Sequence, residues 1–363
     1  MAGNKISKII FLTLGCALVA SINCSLYGET NKADEHPKDN LTQIIHYGSL
    51  APSSHNAQMW QVKIITENKI KILVDRKHIL PQVDPENRET LISLGAFIEN
   101  MVLAAPCFGL QPEVSIITKN PADTEIAELT FCPKRDHSST DILRDIKNRH
   151  TIRIPYMCQA LSAQDAQWFK TFGADLRYFA LSTQEGKYIQ QAIIQATKQQ
   201  VADDNKQKEL AGLFRFSKKE AEKERDGLTP DGIGLSGITK WFVSTFFTHD
   251  SVMSKSFRNQ SVTTTKRQAE NCSGFVVLTS DDDSVASLVA SGRSLERFLI
   301  TATGKKLAVH PMSAPLEESP WSEEISQKVG LDKPVQMILR VGYVKDYGHP
   351  VSMRREVLVL TAQ

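Results

Sequence analysis

Several common function classes find no support in this sequence. The chain of 363 residues carries a formal net charge of +2, so no global field favours nucleic acid. Any anionic ligand has to be held by local basic groups. The nine histidines show no H-E-x-x-H and no paired spacing, and the six cysteines show no CxxC pair, so no metal motif is present. Gly232-Ile-Gly-Leu-Ser-Gly237 spells G-x-G-x-x-G, but it follows a charged helix instead of an apolar strand and is not a dinucleotide fingerprint. Ala302-Thr-Gly-Lys-Lys lacks the upstream glycine of a phosphate loop. Gly292-Arg-Ser-Leu-Glu lies within a helical stretch and is no nucleophile elbow.

What is present is ordinary globular composition, 41% hydrophobic and 23% charged. The N-terminus stands apart. Lys5 and Lys8 precede an apolar run from Ile9 to Ile22, shorter than the ~20 residues of a spanning helix. Residues 1–24 therefore read as a secretory signal, with Ala20 and Ser21 near a cleavage point, or as a lipoprotein signal with Cys24 as the modified residue. An uncleaved anchor or an amphipathic first helix is the alternative. The reading makes the protein exported, periplasmic or membrane-anchored. Residues 25–40 form a linker. Cys107, Cys132, Cys158 and Cys272 read as isolated buried thiols, or, in an exported protein, as including an oxidised pair that their spacing does not identify.

An internal repeat organises the rest. Leu91 to Ala105 and Leu288 to Ala302 match without a gap at a constant offset of 197. Leu91 aligns with Leu288, Gly95 with Gly292, Ile98 with Leu295, Glu99 with Glu296 and Val102 with Leu299. Both segments have helical apolar spacing and one glycine where another backbone can approach closely. Two buried helices share such periodicity by default, but the matched glycine and glutamate add to it. A repeat of this length is too long for a solenoid unit and suggests two copies of one α+β half. Strand-like runs cover 61–65, 69–74, 113–118, 274–278, 335–344 and 356–360, and further helices 40–48, 140–147, 162–172 and 182–200. Residues 202–240 are an insertion with a charge run, Lys218 to Arg225, that reads as a solvated helix face in a lid-like segment.

Four segments are candidates for chemistry. In Leu50-Ala-Pro-Ser-Ser-His-Asn-Ala-Gln-Met-Trp60, Ser53, Ser54, Asn56 and Gln58 offer hydrogen bonds and Trp60 a flat apolar face, as the rim of a heteroaromatic ligand needs. A helix cap and turn cluster uses the same residues. Arg149, Thr151 and Arg153 place two guanidiniums and a hydroxyl where they can converge on one phosphate, or form a surface basic patch. Arg354 and Arg355 can add to them. The prolines of His310-Pro-Met-Ser-Ala-Pro-Leu-Glu317 fix an irregular loop beside the repeated helix, able to present backbone N–H groups or to serve as a rigid connector.

In their order along the chain these segments resemble the nitroreductase family, and are most similar to its Acg-like FMN-binding branch of fused, double-length chains. The A-P-S-S-x-N-x-Q-P-W pattern is matched by Ala51 to Trp60, with Met59 in place of proline. D-P-x-x-R-E-L is matched by Asp84 to Leu91 with an inserted threonine, R-R-x-T-x-R by Arg149 to Arg153, and P-x-S-x-P-L-E by Pro311 to Glu317. Arg340 to Tyr343 match an R-x-G-Y strand and Arg354-Arg355 a terminal R-R.

The resemblance implies an α+β, nitroreductase-like fold whose halves, 41–147 and 148–363, pack as an intramolecular pseudo-dimer. It implies one FMN, with Ser53, Ser54, Asn56 and Gln58 on one side and Arg149, Thr151, Arg153, Pro311, Met312, Ser313, Arg354 and Arg355 on the other. Backbone donors near Met312 or Ser313 would poise flavin N5. A second site is not expected, because neither Ser53 nor Pro311 has a counterpart at the repeat offset. NAD(P)H and a small aromatic acceptor, nitroaromatic or quinone-like, are the implied partners, with no specific protein partner. The fused chain is expected as a monomer or weak homodimer. The alternative is an FMN-storage protein with a lidded site. No catalytic acid, base or metal ligand is assigned.

Overall fold

The computed structural model describes residues 37–134, 138–173 and 175–361. The expected signal, 1–24, and residues 25–36 of the expected linker lie outside the described residues, while residues 37–40 belong to a helix.

Helix α1 (Pro37–Ser49) leads into the hairpin β1 (Trp60–Thr66) and β2 (Lys69–Val74), then α2 (Arg88–Ala104), β3 (Leu110–Ile116) and β4 (Glu125–Pro133). Helices α3 (Asp141–Asn148) and α4 (Ala163–Phe172) precede β5 (Leu176–Ala180) and α5 (Gln184–Gln200). A helical excursion follows: α6 (Asp204–Leu213), α7 (Lys218–Glu224), α8 (Gly237–Phe246), α9 (His249–Val252) and α10 (Lys255–Glu270). The chain closes with β6 (Gly274–Thr279), α11 (Val285–Gly304), β7 (Ala308–Pro311), α12 (Trp321–Lys328), β8 (Val335–Gly342) and β9 (Leu358–Thr361).

The two sheets have the same plan. One runs β3-β4-β2-β1-β9 and the other β7-β8-β6-β5, with every pair antiparallel except β1–β9. The order β1-β2-helix-β3-β4 therefore recurs as β5-β6-helix-β7-β8, with α2 and α11 as the matching helices. The excursion α5–α10 is inserted where the first copy has a tight hairpin. Strand β9, from the end of the chain, adds in parallel to β1 in the first sheet.

Sequence reading finds α2, α11 and most strands but passes over β4, β5 and the four-residue β7, whose His310 and Pro311 it read as the start of an irregular loop and which pair with β8 instead. Strand β4 carries Glu125 and Glu128, which pair across to Lys71 and Lys69 and interrupt the apolar pattern. Strand β5 has five residues, too few for periodicity to register. Pro112 is tolerated because β3 is an edge strand. The charge run forms α7, whose residues are mostly exposed apart from Ala221. The four described cysteines are unpaired, and Cys272 alone among them is fully buried.

One continuous core holds the two sheets together. It contains Trp60, Val62, Ile70, Ile72 and Leu129 from the first sheet, Val276, Leu278, Leu339 and Val341 from the second, and the apolar faces of α1, α2 and α11 between them. The helices α2 and α11 meet at the two matched glycines. A Cβ on Gly95 would lie 2.1 Å from the carbonyl oxygen of Val289, and one on Gly292 would lie 2.0 Å from that of Ile92. The matched glutamates are also buried in this region. Glu99 is ion-paired with Arg293 (2.7 Å) and Arg297 of α11, while Glu296 faces Arg149 at 3.2 Å.

Because these contacts are with backbone, no side chain can yield to a new methyl group. Gly95→Ala and Gly292→Ala should each cost at least about 3 kcal/mol in denaturant unfolding. Gly212→Ala, in α6 with open space around it, should be neutral or stabilising by about 0.5–1 kcal/mol.

Candidate functional site

A cleft opens where the segment after α1 meets the segments after α3 and before β9, and it has two adjoining lobes that share Pro52, Ser53, Thr151, Arg153 and Leu228 as walls. The narrower, about 90 Å³, also takes in Asn56, Arg149 and Arg354. The wider, about 230 Å³, is lined by polar Ser54, His55, Glu89, His310 and Ser313 and by apolar Ile92, Ala96, Leu295 and Met337.

The narrow lobe is cationic. Arg149 Nη2 donates to the carbonyl of Leu50 (2.9 Å), Arg153 Nη1 to that of Gly232 (2.9 Å), and Arg354 Nη1 to Oδ1 of Asn56 (2.8 Å). Arg354 Nη2 reaches the carbonyl of Ala51 at 3.2 Å, but its Nε is buried without a partner. Burial lowers Arg153 to about 10 and Arg354 to about 9, and Arg149 repels both. The carboxyl beside them, Glu296, is pushed up to about 7 by burial in spite of Arg149. Its 3.2 Å approach to Arg149 is an ion pair without hydrogen-bond geometry. Near neutral pH, three guanidiniums thus face one incompletely ionised carboxyl. Grouping buried like charges is unfavourable unless an anion joins them.

The wide lobe is built on a strained turn. His55, Asn56 and Gln58 have φ of 49°, 58° and 56°, the left-handed region that costs a residue with a side chain about 1–3 kcal/mol. The turn is held by Gln58 N–H donating to Ser53 Oγ (3.0 Å), Ser54 N–H to Ser93 Oγ (3.3 Å), and the Ser54 hydroxyl to Glu89 (2.7 Å). Glu89 is placed by Asp84, whose carboxylate accepts from the N–H groups of Glu89 (3.0 Å) and Thr90 (2.8 Å) and so caps the first turn of α2. Burial raises Asp84 to about 6.

The opposite wall depends on Arg340, which is fully buried in β8. It donates to the carbonyls of Ile152 (3.3 Å), Ile154 (2.9 Å) and Gln268 (3.3 Å) and lies 3.9 Å from the centre of the Tyr156 ring. It clamps the backbone on both sides of Arg153. Its Nε also donates to His310 Nδ1 at 3.0 Å. A guanidinium can only donate, so Nδ1 of His310 accepts and the ring proton sits on Nε2. Burial, then Arg340, holds His310 well below the usual histidine range, so it is a neutral donor.

Of the residues predicted from sequence, Ser53, Ser54, Asn56, Arg149, Thr151, Arg153, Pro311, Ser313 and Arg354 line the cleft. Gln58, Met312 and Arg355 do not. Gln58 is buried and committed to backbone, donating to the carbonyl of Arg225 (2.9 Å) and accepting from Arg355 N–H (2.8 Å). Arg355 pairs with Asp226 and donates to the carbonyls of Ala57 and Gln58. The side chain of Met312 lies in a core cluster, and its N–H donates to the carbonyl of Ile338 (2.8 Å). Trp60 is no wall of the cleft either: as the first residue of β1 it turns into the core and stacks on Phe97, with ring centres 5.0 Å apart. Met59 is likewise buried away from the cleft. His55, Glu89 and His310 line the cleft without having been singled out. Each lay inside a quoted motif, but a lone histidine or glutamate in a sequence gives no sign of facing a cavity.

The excursion between β5 and β6 covers part of this cleft. Asn56 Nδ2 donates to the carbonyl of Gly227 (3.1 Å), Gly227 N–H to that of Asn56 (3.1 Å), and Arg225 Nε to that of Arg354 (2.9 Å). Residues 225–232 are thereby tied to the segments around Asn56 and Arg354, with Gly227, Leu228 and Gly232 on the cleft wall. The G-x-G-x-x-G string is part of this cover and follows no strand.

No protein-family model matches the chain. It is similar along most of its length to proteins provisionally named NAD(P)H nitroreductases. One, from Mycobacterium tuberculosis, is 22% identical over 323 residues, spanning 85% of this chain and 86% of that protein, and is found with the same figures in two strains. Another, PigM of a Serratia species, is 21% identical over 337 residues, spanning 88% of this chain and 93% of that protein.

A cationic lobe of this kind should take up inorganic phosphate. Saturating phosphate should raise the thermal midpoint of the ligand-free chain, equivalent to about 2.7 kcal/mol at a hundred times the dissociation constant. Arg153→Ala should remove most of that response, and Arg153→Lys should keep part of it. A phosphate response equal in the wild type and Arg153→Ala would argue against this anion site.

Proposed function

We propose that the chain is an FMN-dependent NAD(P)H oxidoreductase of the nitroreductase type, of the Acg-like branch, in which two fused halves form an intramolecular pseudo-dimer around one flavin. The observation that carries this reading is a cationic lobe opening into a wider, partly apolar lobe, with walls from residues 50–56 and 350–354, far apart in sequence. A phosphate, a ribityl chain and a flat heteroaromatic ring need such a succession of surroundings. The fit is chemical. Arg149, Arg153 and Arg354 together face one carboxyl, Glu296, and the Nε groups of Arg149 and Arg354 are buried donors without a hydrogen-bond partner. The recurrence of one strand order around α2 and α11 supports the fused halves. The named relatives support NAD(P)H as reductant.

In this reading the three arginines hold the phosphate of FMN, and Ser53 and Thr151, shared by both lobes, face the chain between phosphate and ring. Ile92, Ala96, Leu295 and Met337 exclude water from the ring. His310, fixed as a neutral donor by Arg340, and the Ser54 hydroxyl offer hydrogen bonds to ring heteroatoms. Since the Met312 N–H is engaged in the sheet, a backbone contact to the ring from this loop falls to Ser313. A bound flavin supplies two-electron hydride chemistry that no side chain of this cleft offers. The acceptor is a small nitroaromatic or quinone-like compound. The N-terminal signal would put the enzyme outside the cytoplasm.

A second reading is FMN storage. It is favoured by the cover over the cleft from residues 225–232, which narrows access for reductant and acceptor alike. A spectrum with cofactor stoichiometry separates the readings. The oxidoreductase should be yellow, carry one FMN per chain and bleach with NADPH or NADH. A storage protein should bleach with dithionite alone. A colourless chain that takes up no added FMN would overturn both. Arg149→Ala combined with Arg153→Ala should weaken FMN retention by about 100-fold or more while the fold persists.

A further inference from the structure

Helix α8 has large apolar side chains on two opposite faces. Val243 and Phe247, the residue after its last turn, point inward and pack with Phe214, Phe216 and Val252 in a small core of the excursion. Ile238, Trp241, Phe242 and Phe246 recur at helical spacing and form a stripe on the other side. They are 85%, 60%, 50% and 58% exposed, and Ile238, Trp241 and Phe246 are the most exposed large apolar side chains among the described residues. The rings of the stripe touch: the centres of Phe242 and Phe246 are 5.0 Å apart, and those of Trp241 and Phe246 5.8 Å. Single apolar residues on a surface are ordinary, but a contiguous aromatic stripe marks a face that something covers.

Charge and length select what covers it. From Gly232 to His249 the chain has no acidic residue. Residues 237–270 contain Lys240, Lys255, Arg258, Lys266 and Arg267 against Asp250 and Glu270, a net charge of 5 − 2 = +3. Lys240 pairs with Asp231, Arg258 with Asp204 and Lys266 with Glu270. Lys255, exposed in the first turn of α10, makes no ion pair among the described residues. It stands two residues before Phe257, whose ring centre is 6.2 Å from that of Phe247 at the end of α8. An anionic surface attracts this balance, whereas a second copy of the chain would bring the same positive sign against it. With ten residues, α8 is about 15 Å long, half the ~30 Å of a hydrocarbon core, so it cannot span a bilayer and would lie flat on one. A tryptophan and two phenylalanines on one face, with lysines beside them, is the composition of a helix at a lipid–water interface.

We propose that the outer stripe of α8 lies in the surface of an anionic lipid bilayer and holds the covered cleft beside it, so that the acceptor comes from the lipid. Gly232 is on the cleft wall, and α8 begins five residues later, no more than about 18 Å along an extended chain. The carbonyl of Gly232 also accepts from Arg153, which ties the segment leading into α8 to the cleft. The expected N-terminal signal, kept as an anchor or lipidated at Cys24, would keep a bilayer within reach. The docking stands by itself, but the source of the acceptor rests on the oxidoreductase reading. A quinone dissolved in the bilayer becomes its quinol by taking up a hydride and a proton. NAD(P)H supplies the hydride by way of the bound flavin and leaves as NAD(P)+, and water supplies the proton.

Tryptophan fluorescence reads the docking without turnover. The full chain is mixed with vesicles of phosphatidylglycerol and phosphatidylcholine whose acyl chains carry bromine, which quenches only rings that enter the lipid. Quenching should appear, and Trp241→Phe should remove most of it. Phe242→Ser combined with Phe246→Ser keeps Trp241 and alters exposed side chains only, and it should also remove most of the quenching, even where the N-terminal segment still holds the chain on the vesicle. A wild type without quenching, or quenching unchanged in either variant, would overturn the docking. Vesicles of phosphatidylcholine alone should quench less, and equal quenching would overturn the part assigned to charge. A lipid-free dimer that the double serine variant turns into a monomer would place a second copy on the stripe and defeat the proposal. With FMN bound, the double serine variant should reduce a long-chain quinone dissolved in the vesicles about 10-fold more slowly and a short, water-soluble quinone at the wild-type rate. An equal effect on both quinones would overturn delivery from the lipid. A chain that docks but takes up no flavin keeps the docking and defeats the oxidoreductase reading instead.

Discussion

Two glycines set the distance between the halves of this molecule. At Gly95 and Gly292 the backbones of α2 and α11 come so close that a methyl group on either would overlap a carbonyl of the other helix. Everything else is referred to that contact. It lets both sheets bury their inner faces in one core. It also brings the first turn of α2, with Glu89, and the middle of α11, with Leu295, to the same cleft.

Charge follows the same geometry. The matched glutamates of the two helices are both buried, which is costly unless each is compensated. Glu99 is compensated within the helix pair by Arg293 and Arg297. Glu296 depends on Arg149, from the segment after α3, and so ties the interface between the helices to the cationic lobe. A residue of the helix interface thereby helps hold an arginine in the position that an anion would exploit. Arg340 does the same for Arg153 by clamping the peptide groups on either side of it. The cleft is thus prepared before any ligand arrives, with strained backbone from His55 to Gln58 and arginines held partly out of water. This is the arrangement expected of a site that binds an anionic ligand tightly and in one orientation.

The cover from the α5–α10 excursion bears on the choice between turnover and storage. Its bonds to Asn56, Arg153 and Arg354 engage the groups that line the anion lobe, so ligand binding and the position of residues 225–232 are physically linked. An enzyme and a storage protein would differ in how readily those few hydrogen bonds open, not in the residues that line the cleft.

Much of this was legible in the sequence because it depends on local pattern. The repeat, its glycine and its glutamate are visible as a constant offset, and the helical period of α2 and α11 is strong because both are buried along most of their length. The serines near residue 53 and the arginines near 149 and 354 stand out because short motifs with unusual composition mark places where backbone or charge is under constraint. What tertiary structure alone decided is the direction in which each side chain points and what it meets. Gln58, Met312 and Arg355 belong to the same motifs as the cleft residues, yet they are taken up by backbone, core and Asp226, since one step along an extended segment turns a side chain to the opposite face. Strand β9 joins the first sheet, a pairing between residues about 300 positions apart that no local signal encodes. The meeting of Arg340 with His310 likewise exists only in three dimensions, because hydrogen bonds between distant segments leave no trace in the spacing of residues along the chain.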